Sequence, residues 1–328
     1  MKLLRWIVPL TIAAAVVLTA PHLQGRGDAA NESAAPSSPL ADGAFWKLWG
    51  DGQAELASYD LIFPRYGELR KGTAVLVFVT ESFSNEARVK ADPGKHPKSD
   101  EFPVMKLNRV QDFSTGVYDY NLMTSVFVAL SAVNGAPAGV PTKITFSAQE
   151  WCGHVFHELL FGERGIRSVR YSYFDGEGDQ DWKLERKAGG FAEDALLHWA
   201  RGLAEPRLAS GESKQVPFLI SCQTSRLQHR PVEWTTATLS RGKGTHTIQV
   251  PAGLLEVETF KADIADGRKW TIDVEAALPH RIVRWESSDG EKGELLAADR
   301  MKYWEMNEEK FSGDVRRLHL TPRPQRTM

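Results

Sequence analysis

Two strings in this sequence combine residue types that can do chemistry. The first is Glu150-Trp151-Cys152-Gly153-His154. A strand over Lys143 to Phe156 would place Ile144, Phe146, Ala148, Glu150, Cys152, His154 and Phe156 on one face, because strand side chains alternate. Gln149, Trp151, Gly153 and His157 would occupy the other. A carboxylate, a thiol and an imidazole at alternate positions can surround a divalent metal ion, and a thiolate beside an imidazole is a nucleophile arrangement. The same three side chains serve equally as a polar network, since buried polar groups need partners. A third reading pairs Cys152 with Cys222 in a disulfide, which an oxidising compartment permits. The spacing leaves all three open. It supplies neither a fourth ligand nor an orienting residue, so no catalytic residue is assigned.

The second string is Asp175-Gly176-Glu177-Gly178-Asp179-Gln180-Asp181, directly after Tyr171-Ser172-Tyr173-Phe174. The carboxylates of Asp175, Glu177, Asp179 and Asp181 stand at alternate positions with two glycines between them, as in loops that give several oxygens to a hard cation. Gln180, however, stands where such loops need glycine, and position twelve is Arg186 in place of a bidentate glutamate. The string reads better as an exposed acidic hairpin turn. Tyr118, Tyr120 and Asn121 complete the candidates, as strand residues that can face a cavity. Phosphate-loop, Gly-x-Ser-x-Gly and dinucleotide fingerprints are absent from the sequence.

The elements that must position these residues are mostly of period two. Leu56 to Tyr66 pairs with Thr73 to Phe83 through Gly67-Glu68-Leu69, and Val104 to Phe113 with Val117 to Leu130 through Ser114-Thr115-Gly116. Lys143 to Leu160 and Ile166 to Phe174 read as further strands, and Asn85 to Asp100 as a long polar loop. Phe191, Ala195, Trp199 and Leu203 recur every fourth residue and predict a helix over 191–203. Strand-like runs resume from Val216 to Cys222 and continue to His280–Glu286, with hairpin turns at Asp266-Gly267 and Asp289-Gly290. This pattern predicts a mainly β fold: a large antiparallel meander forming an open or partly closed barrel, with one or two helices.

Composition sets the outer bounds. Of 328 residues, 42% are apolar and 25% charged, enough for a sizeable core. Forty basic against forty-two acidic residues give a net charge of −2, which excludes a nucleic-acid partner bound through bulk charge. Lys2 and Arg5 precede the apolar run Trp6 to Leu18, so residues 1–20 read as an export signal. The protein is expected to be periplasmic or secreted, or retained by that segment as an uncleaved anchor. Residues 21–43 read as a flexible linker and 44–306 as a β-rich domain, with lobes 44–186 and 211–306 joined by the helix. Residues 307–328, carrying Arg316, Arg317, Arg323 and Arg326, read as a loose basic tail.

Both strings, together with Tyr66-Gly67-Glu68-Leu69-Arg70-Lys71-Gly72 and Met123-Thr124-Ser125-Val126-Phe127, resemble the hallmark blocks of a family of uncharacterised exported bacterial proteins, often labelled septum formation inhibitor Maf. The resemblance covers about Phe45 to Leu184 and implies export and a β fold, with no activity to carry over. The nucleotide pyrophosphatases that share the Maf label depend on an early Ser-and-Arg phosphate motif, which this chain lacks. The second half is similar to the closing hairpins of exported half-barrel proteins of the periplasmic lipoprotein-carrier type. The function expected is therefore non-catalytic: a binding or carrier module for an apolar or lipid-like small molecule, without a resident cofactor. Glu150, Cys152, His154, Tyr118, Tyr120 and Asn121 are its candidate ligand contacts. The alternatives are a metal- or thiol-dependent enzyme centred on Cys152, His154 and Glu150, and an envelope scaffold that contacts other proteins or the membrane surface.

Overall fold

The computed structural model describes residues 40–322. The proposed signal 1–20, the linker up to residue 39, and Arg323 and Arg326 lie outside the described residues. The first helix, α1 (Gly43–Trp49), starts where Asp42 accepts a hydrogen bond from the Phe45 amide at 2.9 Å. An N-cap side chain of this kind satisfies an amide that the first helical turn cannot.

Eight strands follow in series: β1 (Ala54–Arg65), β2 (Glu68–Ser84), β3 (Glu101–Thr115), β4 (Tyr118–Ala129), β5 (Pro141–Glu150), β6 (Gly153–Gly162), β7 (Gly165–Ser172) and β8 (Gln180–Leu184). Each pairs antiparallel with the next. The β1–β2 turn is Tyr66-Gly67, both with positive φ (55° and 74°). That is the backbone a tight two-residue hairpin needs to match strand twist. After a polar crossing come β9 (Phe191–Ala192), helix α2 (Leu196–Ala200), β10 (Ser213–Leu219) and helix α3 (Cys222–Leu227). The remaining strands are β11 (Trp234–Arg241), β12 (His246–Val250), β13 (Gly253–Ile264), β14 (Lys269–Glu275), β15 (Ile282–Ser287) and β16 (Lys292–Met301).

All sixteen strands belong to one sheet, whose order is β8-β7-β6-β5-β4-β3-β2-β1-β16-β15-β14-β13-β11-β10-β9, with β12 paired to β13. The β1–β16 pairing joins the two runs of strands. All pairings are antiparallel except β9 with β10, and the sheet is not closed, ending on β8 and β9. It curls so far that short helix α2 touches strands from both runs. His198 Nε2 donates to the Met105 carbonyl of β3 at 3.2 Å, while the Trp199 ring meets Phe260 of β13 edge-on at 5.3 Å. The concave face holds the main core, from Tyr59, Leu61 and Phe63 on β1 to Trp285 on β15. One ion pair is enclosed with it: Arg201 binds Glu55 of β1 at 2.7 and 3.1 Å, and Phe78 and Trp49 lie against the guanidinium.

Three sequence expectations change. The helix expected over 191–203 is a two-residue strand, a 3₁₀ turn over Glu193–Ala195 and five residues of α2. Its fourfold apolar spacing is real burial, but every residue from Ala195 to Ala200 is buried, so no polar face sustains a longer surface helix. The strand expected over Val216 to Cys222 ends at Leu219, and Cys222 instead opens helix α3. The tail read as loose folds over Glu309–Leu318 as a 3₁₀ run on the convex face, where Leu318 packs with Ala54, Leu56, Val77 and Met301.

Candidate functional site

The structure separates the residues of the first string. Lys143 to Phe156 is a hairpin, with Trp151-Cys152 as its turn and Glu150 opposite Gly153. The Glu150 carboxylate accepts from the Cys152 amide at 2.9 Å and closes the turn. Gly153 fits because a Cβ there would sit 2.5 Å from the Tyr173 ring. Reversal of the chain exchanges the parity of the faces: even-numbered residues point inward on β5, odd-numbered ones on β6. Glu150 is therefore buried near Arg226 (4.0 Å), whereas Cys152 and His154 are exposed. The hydrogen bond to Glu150 pushes the Cys152 thiol above its ordinary value, against thiolate formation. Cys152 and Cys222 are both free, one exposed and the other buried.

The acidic string also disperses. Glu177 is buried and paired with His229 (2.6 Å) and Arg226 (3.6 Å). Asp181 is the second residue of β8 and binds Arg167 at 2.7 Å, while Asp175 caps its own turn at the Gly176 amide. Asp179 shares a shallow surface depression with His154, Tyr171 and Tyr173, without Glu150 or Cys152. Among the described residues no group of three or more His, Cys, Asp or Glu side chains could hold a metal ion. Of the remaining candidates, Asn121 faces outward and Tyr118 is half-buried beside Trp151. Tyr120 points inward, stacked on Phe113, with its hydroxyl 2.6 Å from that of Tyr66.

Tyr66 stands at the edge of a cavity of about 430 Å³ between the concave face and the segment carrying α2 and α3. That size lies within the range of small-molecule pockets. Phe63, Leu107, Val126, Leu196, Leu197 and Ile272 supply apolar wall, and the opening lies between exposed Tyr66–Leu69 at the β1–β2 turn and Asp289 at the β15–β16 turn. Arg65 at this end has phenol partners, Tyr120 at 3.2 Å and Tyr66 at 3.3 Å, and lies over the Tyr66 ring.

The inner part of the cavity is polar and its groups are unequally served. Glu291 accepts from Gln111 (3.0 Å), Trp285 (2.9 Å) and Gln223 (3.3 Å), with Arg109 at 3.8 Å. Burial still holds its carboxyl above the ordinary value. Glu193 is saturated by Arg268, Trp270 and the Ser221 amide. Among the described residues Asp194 accepts from the Cys222 amide at Oδ2, 3.3 Å away, and its Oδ1 has no hydrogen-bond partner. Asp194 is half-buried and lines the cavity. Burial, with Glu193 beside it, pushes the carboxyl up to about 7. Thr124, on the inward face of β4, also lines the cavity, and its buried Oγ1 has no partner. Few buried polar atoms in a folded protein go unpaired, so two lining one cavity point to a ligand or to water.

None of these polar cavity residues was a sequence candidate, yet some left a signal. In β3 the inward series Met105, Leu107, Arg109, Gln111, Phe113 breaks its apolar alternation at Arg109 and Gln111, and β4 does so at Thr124 between Leu122 and Val126. Asp194 and Glu193 lay hidden inside the expected helix, and Glu291 behind a hairpin turn.

No family model matches the chain, and no curated protein matches it. A solved structure that resembles it is the crystal structure of a β-barrel-like protein of domain of unknown function DUF1849 from Brucella abortus. The match has 12% sequence identity and a TM-score of 0.45, over 76% of this chain and 98% of that one. None of these comparisons carries the septum-formation label or a lipoprotein carrier.

Proposed function

We propose that this protein is a binding or carrier module, exported as its N-terminal sequence suggests, whose ligand occupies the cavity inside the curled sheet. The observation that carries the reading is a pocket with an apolar wall in which two buried polar atoms, Asp194 Oδ1 and Thr124 Oγ1, await partners. Apolar surface supplies the driving force, and a few placed polar groups fix orientation. The ligand is thus amphiphilic, an apolar body with a polar end. The test is intact mass, native and denatured, on protein recovered from its own compartment. A native excess identifies the ligand, and Leu197→Trp, which fills the cavity, removes it. Equal masses in the wild type, with no small molecule released on unfolding, refute the carrier role. The denatured mass also reports whether residues 1–20 have been cleaved.

One observation favours a second, surface role. The turns β1–β2, β3–β4, β5–β6 and β7–β8 lie along one rim of the meander and expose Tyr66, Val117, Trp151 and Tyr173, the last three at 84%, 76% and 73%. Such a rim suits contact with an envelope protein or a membrane surface. Cosedimentation with lipid vesicles, lost in Trp151→Ser, tests the membrane form of this role.

A further inference from the structure

We infer that the cavity selects a ligand whose polar end is a cationic ammonium group, with Asp194 as its counter-ion and Thr124 as a second acceptor. This deepens the binding role proposed above and rests on it. The first support is charge. The cavity is lined by the carboxylates of Glu68, Glu193, Asp194, Asp289 and Glu291 against the guanidiniums of Arg65 and Arg109. Arg70 and Arg268, which pair with Glu68 and Glu193 from outside the lining, reduce the balance to one negative charge, and an excess of one sign favours ligands of the other.

The second support is the pairing of those charges. Glu193 has Arg268, Glu291 has Arg109, and Glu68 at the opening has Arg70 at 2.7 Å. Among the described residues Asp194 makes no ion pair, and from other residues only the Cys222 amide donates to it. A buried carboxylate without a counter-ion is costly, and a cation that brings its own N–H donors removes that cost. An ammonium carries three donors, enough for Asp194 Oδ1 and for the Oγ1 of Thr124, a residue 3% exposed that lines the same cavity. An anionic end placed there would face Asp194, Glu193 and Glu291 together.

The pairing makes binding depend on pH. The charged groups around Asp194 are Glu193 beside it, Arg109 from β3, Cys222 and its neighbour Arg170, Glu291 across the cavity, and Arg268 behind Glu193. Arginines stay charged in proteins, and Glu193 is ion-paired with Arg268. Asp194 therefore changes state near neutrality, and an ammonium should bind best above that point.

The experiment titrates octylammonium, octanol and octanoate into the full-length protein at about pH 8 and about pH 5.5, following tryptophan fluorescence and heat. The alkylamine stays protonated at both values. Octylammonium should bind at least about tenfold tighter than octanol at the higher pH and lose about tenfold at the lower. Asp194→Asn should abolish both the preference and the pH dependence, while still binding octanol. Thr124→Val, a milder change, should weaken the ammonium a few-fold and keep the pH dependence. Octanol binding as tightly as octylammonium, or octanoate tightest through Arg65 at the opening, overturns the inference and leaves the binding role intact. If none of the three binds, the binding role falls, and the inference with it.

Discussion

Replacing Asp194 by asparagine tests how far the cavity desolvates this carboxyl. The Asp194 side chain is half-buried with its Oδ1 closed to solvent, accepts the Cys222 amide and sits beside Glu193, and burial pushes its carboxyl up to about 7 from an ordinary 3.8. The folded state thus holds a proton that the unfolded chain has already released. Below about pH 4 both states are protonated and the group is neutral in its effect. Between about pH 4 and 7 the unfolded chain binds fewer protons, so stability declines with rising pH, and above 7 the loss is complete. At about 1.4 kcal/mol per pH unit, the span from 3.8 to about 7 amounts to about 4 kcal/mol. That figure is a ceiling, because water entering the cavity solvates part of the charge. Asp194→Asn removes the ionisable group while keeping its shape. The variant should match the wild type near pH 4 and exceed it by up to about 4 kcal/mol at pH 8. Urea unfolding of the ligand-free protein at four pH values, followed by tryptophan fluorescence, measures the difference. A difference that is flat from pH 4 to 8 would refute the reasoning, since it would mean that Asp194 titrates alike in the folded and unfolded chains.

Other parts of the fold make equally definite demands. Arg201→Leu strands the buried Glu55 carboxylate and should cost about 3–5 kcal/mol in urea unfolding, with much of the loss recovered in the double variant with Glu55→Leu. Burial holds His198 at about 3 and His157 at about 4, so neither imidazole should titrate by NMR above about pH 5. Because these folded values lie below the unfolded one, stability should fall as pH drops below about 6.5, by up to about 5 kcal/mol for His198 at pH 3. A disulfide-exchange reagent at pH 8 should label Cys152 in the native protein and faster in Glu150→Gln, but reach Cys222 only on unfolding. Native labelling of Cys222 would show that the interior opens.

The β class, the serial hairpins and the order of most strands were legible because their signals are local. Alternation over Val104 to Phe113 and Val117 to Leu130 identifies β3 and β4 within a few residues, and Asp266-Gly267 marks the β13–β14 turn. Errors arose where a local rule met a nonlocal fact. Lys143 to Leu160 alternates smoothly enough to read as one strand, and only the Glu150–Cys152 hydrogen bond and the fit of Gly153 under Tyr173 show the reversal. That reversal moves His154 to the outer face and dissolves the apparent Glu-Cys-His constellation.

For this chain the sequence alone determined a β meander, because a side-chain period of two and turn propensity act over a few residues. It also held the marks of the cavity, as polar residues at Arg109, Gln111 and Thr124 on an otherwise apolar face. Tertiary structure decided the rest. Pairing of β1 with β16 and the curl of the sheet bring Arg109, Asp194, Gln223 and Glu291 around one space, though they lie far apart in the chain. Burial there separates a carboxylate with a counter-ion from one without. Desolvation depends on everything that surrounds a group, and a strand cannot encode its surroundings in its own few residues.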